Sequence, residues 1–264
     1  MGGNARELGR TSSSRVLALL GAFSDGAQTM SLTELAHASD LPVPTAHRLL
    51  GELCDWGAVE RMPDRRYQVG LRLWQIGSLA PQHRNLRAIA LPFMEDLYEV
   101  THENVQLAVR DGKSALYLDH ISGRRSVGTI TEVAGRLPLH ATGVGKVILA
   151  FSEPELLESV LRDGLRRCTR YTITSPERLN EAVNHVRQTH LGFSVEEMTL
   201  GASSAAAPIF GADRALSASL AIVVHSSTDL RRLAPAVRAA ALGVTRRLSG
   251  MRPPAEYPER RAAR

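Results

Sequence analysis

Two short stretches of this chain hold residue types at spacings that could do chemistry. The first is LPVPTAHRLL, residues 41–50, where Thr45, His47 and Arg48 follow a pair of prolines. On the first turns of a helix, a hydroxyl, an imidazole and a guanidinium are groups that reach base edges and phosphate oxygens in a DNA groove. The second is HATGVGK, residues 140–146. It does not make a phosphate loop, which needs a glycine five residues before the glycine of the Gly-Lys pair and a hydroxyl residue after the lysine; His140 and Val147 stand there instead. What remains is a helix start with two glycines and free amides, suited to one carboxylate through N–H donors and the helix dipole. A structural glycine turn is the competing reading.

Catalysis finds no footing. There is no G-x-S-x-G elbow, no H-E-x-x-H, and no cysteine and histidine set at ligand spacing. The nine histidines are scattered, and Asp119-His120 or His102-Glu103 alone read as surface pairs or core polar groups. The expectation is a non-enzyme without metal or cofactor.

The elements that must position these groups follow from periodicity. Val16, Leu17, Leu19, Leu20 and Phe23 recur at helical spacing over 12–23, with serines available as the N-cap. Ser31-Leu32-Thr33-Glu34 is a capping box that opens a short second helix on Leu32, Leu35 and Ala36. Ser39-Asp40 makes a turn, and Pro42 and Pro44 then fall at a helix start, where a missing N–H loses no intrahelical bond. The third helix, over 41–55, has Ala46, Leu49, Leu50 and Leu53 as its buried stripe and leaves Thr45, His47, Arg48 and Gly51 on outer faces. Ala58 to Arg61 and Tyr67 to Val69 read as strands around the polar turn Met62-Pro63-Asp64-Arg65-Arg66. Three helices and a hairpin make a winged helix-turn-helix. Its recognition helix would present Thr45, His47 and Arg48 to the major groove, its wing tip Arg65 and Arg66, and its first helix a phosphate-holding Arg15.

Helical spacing resumes from Leu71 through Trp74, breaks at Pro81, and continues over 85–101 as a connector. Beyond it, Val105, Leu107 and Val109 alternate with polar residues, and Asp111-Gly112 turns the chain into a second strand over 114–121. Helices are expected over 143–151, from Ser175-Pro176-Glu177 to Leu191-Gly192, and over 230–248, with strands over 193–198, 203–210 and 215–224. Strands and helices mix without strict βαβ alternation, so the fold class is α+β with an antiparallel sheet. The expected division is 1–75 winged helix, 76–101 helical linker, 102–250 sensor domain and 251–264 a basic, frayed tail.

Length and charge agree with two domains. The chain has 264 residues, 44% hydrophobic and 22% charged, enough to bury a real core. Its net charge of +5 says little about DNA, because residues 1–80 hold eight arginines against eight acids and the excess lies after residue 245. Cys54 and Cys168 are too few for a disulfide framework or a four-ligand zinc site. No apolar leader or membrane-length apolar stretch is present, so a cytoplasmic location without membrane contact is expected.

SLTELAHASDLPVPTAHRLLGEL followed by the short wing, then GRLPLHATGVGKVILAF, TSPERLNEAVNHVRQTHLGF, VEEMTLGASSAAAPIF and ALSASLAIVV, resemble the IclR family of bacterial transcriptional regulators. The resemblance runs from about Ser12 to about Leu248. It implies an N-terminal winged helix on double-stranded operator DNA, a C-terminal GAF-like domain for a small organic acid, and homodimers or dimers of dimers. It places backbone at Gly143 and Val144 in the effector pocket, with Ser194, Glu196, Ser204, Ala221 and Val223 facing the effector from neighbouring strands. Val43 and Pro44 stand where the family often has a basic residue and a serine. Ser204 stands where a cysteine can occur, and Ala221 and Val223 replace hydroxyl-bearing residues of some members. This wall hydrogen-bonds less, so the expected effector has an apolar, aromatic body. The alternative function is a small-molecule sensor acting through protein partners.

Overall fold

Thr11 caps the first helix, one position ahead of the serines expected in that role: its hydroxyl accepts from the Ser14 N–H at 3.1 Å, and α1 runs Ser12–Ala22. The structure, a computed structural model, describes residues 11–23, 28–77, 81–123 and 135–250, with backbone alone at 81–84. The expected tail at 251–264 lies outside the described residues, as does the 78–80 part of the linker. Helix α2 (Leu32–Ala38) starts on the full capping box, in which Ser31 N–H donates to Glu34 at 2.7 Å and Glu34 N–H to the Ser31 hydroxyl at 3.3 Å. Helix α3 (Val43–Trp56) has prolines in its first turn and ends at Gly57, whose φ of 81° is a left-handed value that glycine adopts without strain.

The α3 stripe is buried as its spacing predicts: Ala46, Leu49, Leu50 and Leu53 pack with Leu19, Leu35, Val59 and Tyr67 into one core. A fully buried leucine contributes about 1.5–3 kcal/mol, so Leu49 and Leu50 are enough to fix which side of α3 faces out. The wing is the antiparallel pair β1 (Val59–Arg61) and β2 (Tyr67–Val69), lengthened by a bridge from Met30 to Tyr67.

Contacts divide the chain into two compact units, the first centred on Met1–Asn85 and the second on Leu86–Ile130 and Leu137–Arg264. Helix α4 (Leu71–Gly77) belongs to the first. Helix α5 (Pro81–Thr101) was expected to be a connector, yet Leu86, Ala90, Met94 and Leu97 sit in the core of the second unit, so from Leu86 onward it is part of that unit.

The second unit is built on a six-stranded sheet of order β5-β4-β3-β8-β7-β6, with β3 (Asn104–Asp111), β4 (Ser114–Ile121), β5 (Arg136–Pro138), β6 (Gly192–Val195), β7 (Ala202–Phe210) and β8 (Leu216–His225). The pairings among β3, β4, β6, β7 and β8 are antiparallel. One face packs on α5 and α9 (Leu230–Ser249) through Leu107, Ile209, Leu220 and Val237; the other packs under α6 (Gly143–Phe151), α7 (Pro154–Asp163) and α8 (Pro176–Thr189) through Ala108, Tyr117, Ala206 and Ala221. Strand β3 is consequently buried on both faces from Asn104 to Val109, where alternation with polar residues predicts one wet face. Helix α8 ends at His190, in the left-handed conformation at φ 57°, two residues before the glycine expected to stop it. Neither β5 nor α7 was anticipated.

Candidate functional site

Arg48 lies near the centre of the outward side of α3. At about 100° per residue, opposite the Ala46-Leu49-Leu50-Leu53 stripe, the central line passes through Pro44, Arg48, Gly51 and Asp55. His47 is exposed to one side of that line, and Thr45 is half-buried at its other edge. The Arg48 guanidinium donates to Glu52 one turn on, in an ion pair with both side chains about 60% exposed, at 62% and 59%. Both residues, with Ser12, Ser13, Val16, Leu17 and Leu49, line an open cleft of 500 Å³ between α1 and α3. Arg15 is half-buried on α1 and is not among those lining residues.

The two wing arginines separate. Arg66 donates to the Thr29 hydroxyl at 3.0 Å, the Thr29 carbonyl at 2.9 Å and Glu34 at 2.9 Å, so it braces the wing against the start of α2. The Ser31 amide and hydroxyl, and then Arg66, hold the Glu34 carboxyl below its ordinary range. Arg65, exposed at the tip with φ 67°, remains available to an outside phosphate.

In the second unit the sequence-derived residues gather around the start of α6. Thr142 caps it by accepting from Gly145 N–H at 3.0 Å, and as the first helical residues Gly143 and Val144 have amides without intrahelical acceptors. The glycines permit close approach. A Cβ on Gly145 would stand 2.1 Å from the Leu139 carbonyl oxygen, and one on Gly143 would stand 2.8 Å from the Ser204 hydroxyl and 3.4 Å from the Ala206 methyl. Beneath lie two rows of the sheet. One runs Ser194, Ser204, Val223, Asn104, and the next Gly192, Ala206, Ala221, Gln106, His120. Ser194 is buried and donates to the Ala141 carbonyl at 3.0 Å. Thus Gly143, Val144, Ser194, Ser204, Ala221 and Val223 share one neighbourhood. Glu196 stands apart: at φ 54° its carboxylate accepts from Gly201 N–H at 2.7 Å and organises a turn.

The acid under α6 is Glu197. It pairs with Lys146, which also donates to the Phe193 carbonyl at 2.8 Å; the two side chains are 9% and 3% exposed. Burial pushes the Lys146 ammonium down, against the opposing pull of Glu197. Burial likewise pushes the Tyr117 phenol up, with the Thr142 hydroxyl pulling the other way. Among the described residues, the buried side-chain atoms without a hydrogen-bond partner are Gln106 Nε2, His120 Nδ1, Glu197 Oε2 and Ser203 Oγ. The sequence carried one signal for the ion pair, a lysine in the apolar helix GVGKVILAF that had to find an acid. Gln106 gave none, because the alternation of β3 suggests solvent, and His120 on β4 reads only as half of a surface or core polar pair with Asp119.

No group of three or more potential metal ligands, and no helix long and apolar enough to cross a membrane, occurs among the described residues. Residues 12–63 match the IclR helix-turn-helix domain, and residues 79–246 match the bacterial transcriptional regulator IclR C-terminal family. The transcriptional repressor IclR of Escherichia coli strain K12 is 34% identical over 212 residues, covering 79% of this chain and 77% of that protein. The HTH-type transcriptional regulator KipR of Bacillus subtilis strain 168 is 30% identical over 225 residues, covering 83% and 90%. An IclR homolog from Microbacterium hydrocarbonoxydans, solved in complex with 4-hydroxybenzoate, superposes with a TM-score of 0.86 at 29% identity, over 91% of this chain and 100% of that one.

Proposed function

This chain belongs to the IclR family of bacterial DNA-binding transcriptional regulators, and from that premise we propose that its operator affinity is set by a small aromatic acid bound at the start of α6. Thr45, His47 and Arg48 read the major groove, Arg65 touches the backbone from the wing, and Arg15 adds a phosphate contact. The observation that carries this half is the outward placement of Arg48 and His47 on a helix whose other side is locked by four buried residues.

The acid's carboxylate accepts from the Gly143 and Val144 amides, where the helix dipole favours negative charge. Ser194 and Ser204 flank it, and Ala221 and Val223 give an apolar wall to the ring. The Microbacterium homolog's complex with 4-hydroxybenzoate supports this choice of body. An effector changes operator affinity only by as much as it binds one arrangement of the protein better than another. With eight arginines against eight acids over residues 1–80, one reading head neutralises few phosphates, so a homodimer supplies the needed sum.

Fluorescence anisotropy of the full-length protein on DNA flanking its own gene tests the proposal. The expected result is sequence-specific, salt-sensitive binding that shifts on adding benzoate-type acids and not two-carbon acids. Binding blind to sequence would remove the DNA half, and a response to the two-carbon acids alone would remove the aromatic effector.

A further inference from the structure

We propose that the cavity between β6, β7 and the start of α9 is a second small-molecule site, which takes a neutral, hydroxyl-bearing organic molecule, an alcohol or a phenol, on Ser203. It lies on the opposite face of the sheet from the start of α6, so it stands or falls apart from the acid reading.

Among the described residues of the second unit, the buried serines are Ser194, Ser203 and Ser219. Ser194 and Ser219 donate to the carbonyls of Ala141 and Ala207, at 3.0 and 3.3 Å. Ser203, only 3% exposed, has no hydrogen-bond partner for its hydroxyl. Its neighbours across the strands are Val195 on β6 and Val224 on β8, and neither side chain can bond it. On β7 it shares a side with Ala205, Ala207 and Ile209, which pack on the α5 and α9 face, whereas Ala206 packs under α6.

Ser203 lines a cavity of 590 Å³. That size suits a small organic molecule, as does a mostly apolar wall with few polar groups. Phe193, Val195 and Leu230 supply the apolar wall, and the half-buried Ser226 and Thr228 stand on the α9 side. Val195 is 54% exposed at the mouth, and the ligand reaches Ser203 past it.

The distribution of charge selects a neutral head. The cations that line the cavity, His185 and Arg231, are exposed at its rim. The one acid, Asp229, is committed: it accepts from the Arg231 N–H at 3.1 Å as the cap of α9 and pairs with Arg232 at 3.4 Å. No charged side chain meets Ser203 at the floor, where an unpaired carboxylate or ammonium would be costly to bury. A serine hydroxyl both donates and accepts, and a ligand hydroxyl answers either role. Completing a buried polar group that the fold leaves unpaired favours such a ligand over one that is only apolar.

Titration calorimetry of the full-length protein with benzyl alcohol and with benzoate, repeated on Ser203→Ala and Val195→Trp, tests the site. Benzyl alcohol is expected to bind the wild type, to bind Ser203→Ala about tenfold more weakly through the lost hydrogen bond, and to lose binding to Val195→Trp, whose indole fills the mouth. Benzoate should be no weaker in either variant. If Ser203→Ala fails to fold, Val195→Trp, at an exposed position, carries the same expectation. Absence of benzyl alcohol binding, or binding indifferent to both substitutions, would overturn the site. Benzoate weakened as much as the alcohol by Ser203→Ala would overturn the neutral head. Light scattering on Val195→Trp supplies the last check: an unchanged oligomeric state supports a ligand cavity, and a changed one would make this an interface between copies and overturn it.

Discussion

Helices α3 and α6 begin by opposite devices. The first opens on Pro42 and Pro44 with no side-chain cap and turns His47 and Arg48 to solvent. The second opens on the Thr142 cap and two glycines and is buried from Gly143 through Ala150. A helix of the first kind can offer a partner side chains, and one of the second kind backbone amides. The difference has an energetic corollary. Substitutions on the outer side of α3 should alter binding and leave stability alone, whereas substitutions near the start of α6 should move both.

The strongest way to break this contrast is Lys146→Met. It leaves the Glu197 carboxylate buried without its cation, and losing one partner of a buried pair costs about 3–5 kcal/mol. Denaturant midpoints should fall accordingly, and aromatic-acid binding should weaken with them. The double variant Lys146→Met/Glu197→Met should recover stability to within about 1 kcal/mol of the wild type, since apolar replacement of a whole buried pair is often neutral. A single variant as stable as the wild type would mean that water or rearrangement reaches the pair, and the contrast with α3 would fail.

The two regions also differed in how far the sequence revealed them. The first unit is held by local signals: the capping box at Ser31 and Glu34, the proline-started helix and the four-residue stripe all lie within 26 residues and each specifies its own geometry. The proposed effector site is set by register. Ser194, Ser204 and Val223 come from three strands, and only the pairing of β6, β7 and β8 places them in one row. Gln106 lay hidden because β3 is covered on both faces, so its polar residues are interior and not a solvent side. Gly192 misled for a related reason. It reads as a helix stop, but a Cβ there would stand 2.6 Å from the Gly143 carbonyl oxygen, so it serves the approach of α6 to the sheet. Arg66 looks from sequence like Arg65, and only the fold reveals that its donors are taken by Thr29 and Glu34.

On the α3 side, Arg48→Ala sharpens the comparison with a smaller effect. A direct base contact is worth about 1–3 kcal/mol, so operator affinity should fall roughly tenfold to a hundredfold. Stability should stay within about 0.5 kcal/mol, because the residue is exposed and its pair with Glu52 is a surface one. Paired anisotropy and thermal melts would check this. A lowered melting temperature with unchanged DNA binding would make Arg48 part of the scaffold and return α3 to the same class as α6.

The smallest expected effect decides how Arg48 works. An exposed pair four residues apart on a helix is worth about 0.3–0.5 kcal/mol, and the Arg48 guanidinium must leave Glu52, or share it, to reach DNA. Glu52→Gln frees the arginine and removes a negative charge from the helix, both of which favour DNA, so affinity should rise about twofold. The salt dependence then distinguishes two contacts. If the freed arginine gains a phosphate, the slope of log affinity against log salt should steepen by up to about 0.9; if it reads a base edge, the slope should hold while discrimination among operator variants increases. A fall in affinity would show that Glu52 aims Arg48, making the pair a pre-organised reading unit and not a restraint.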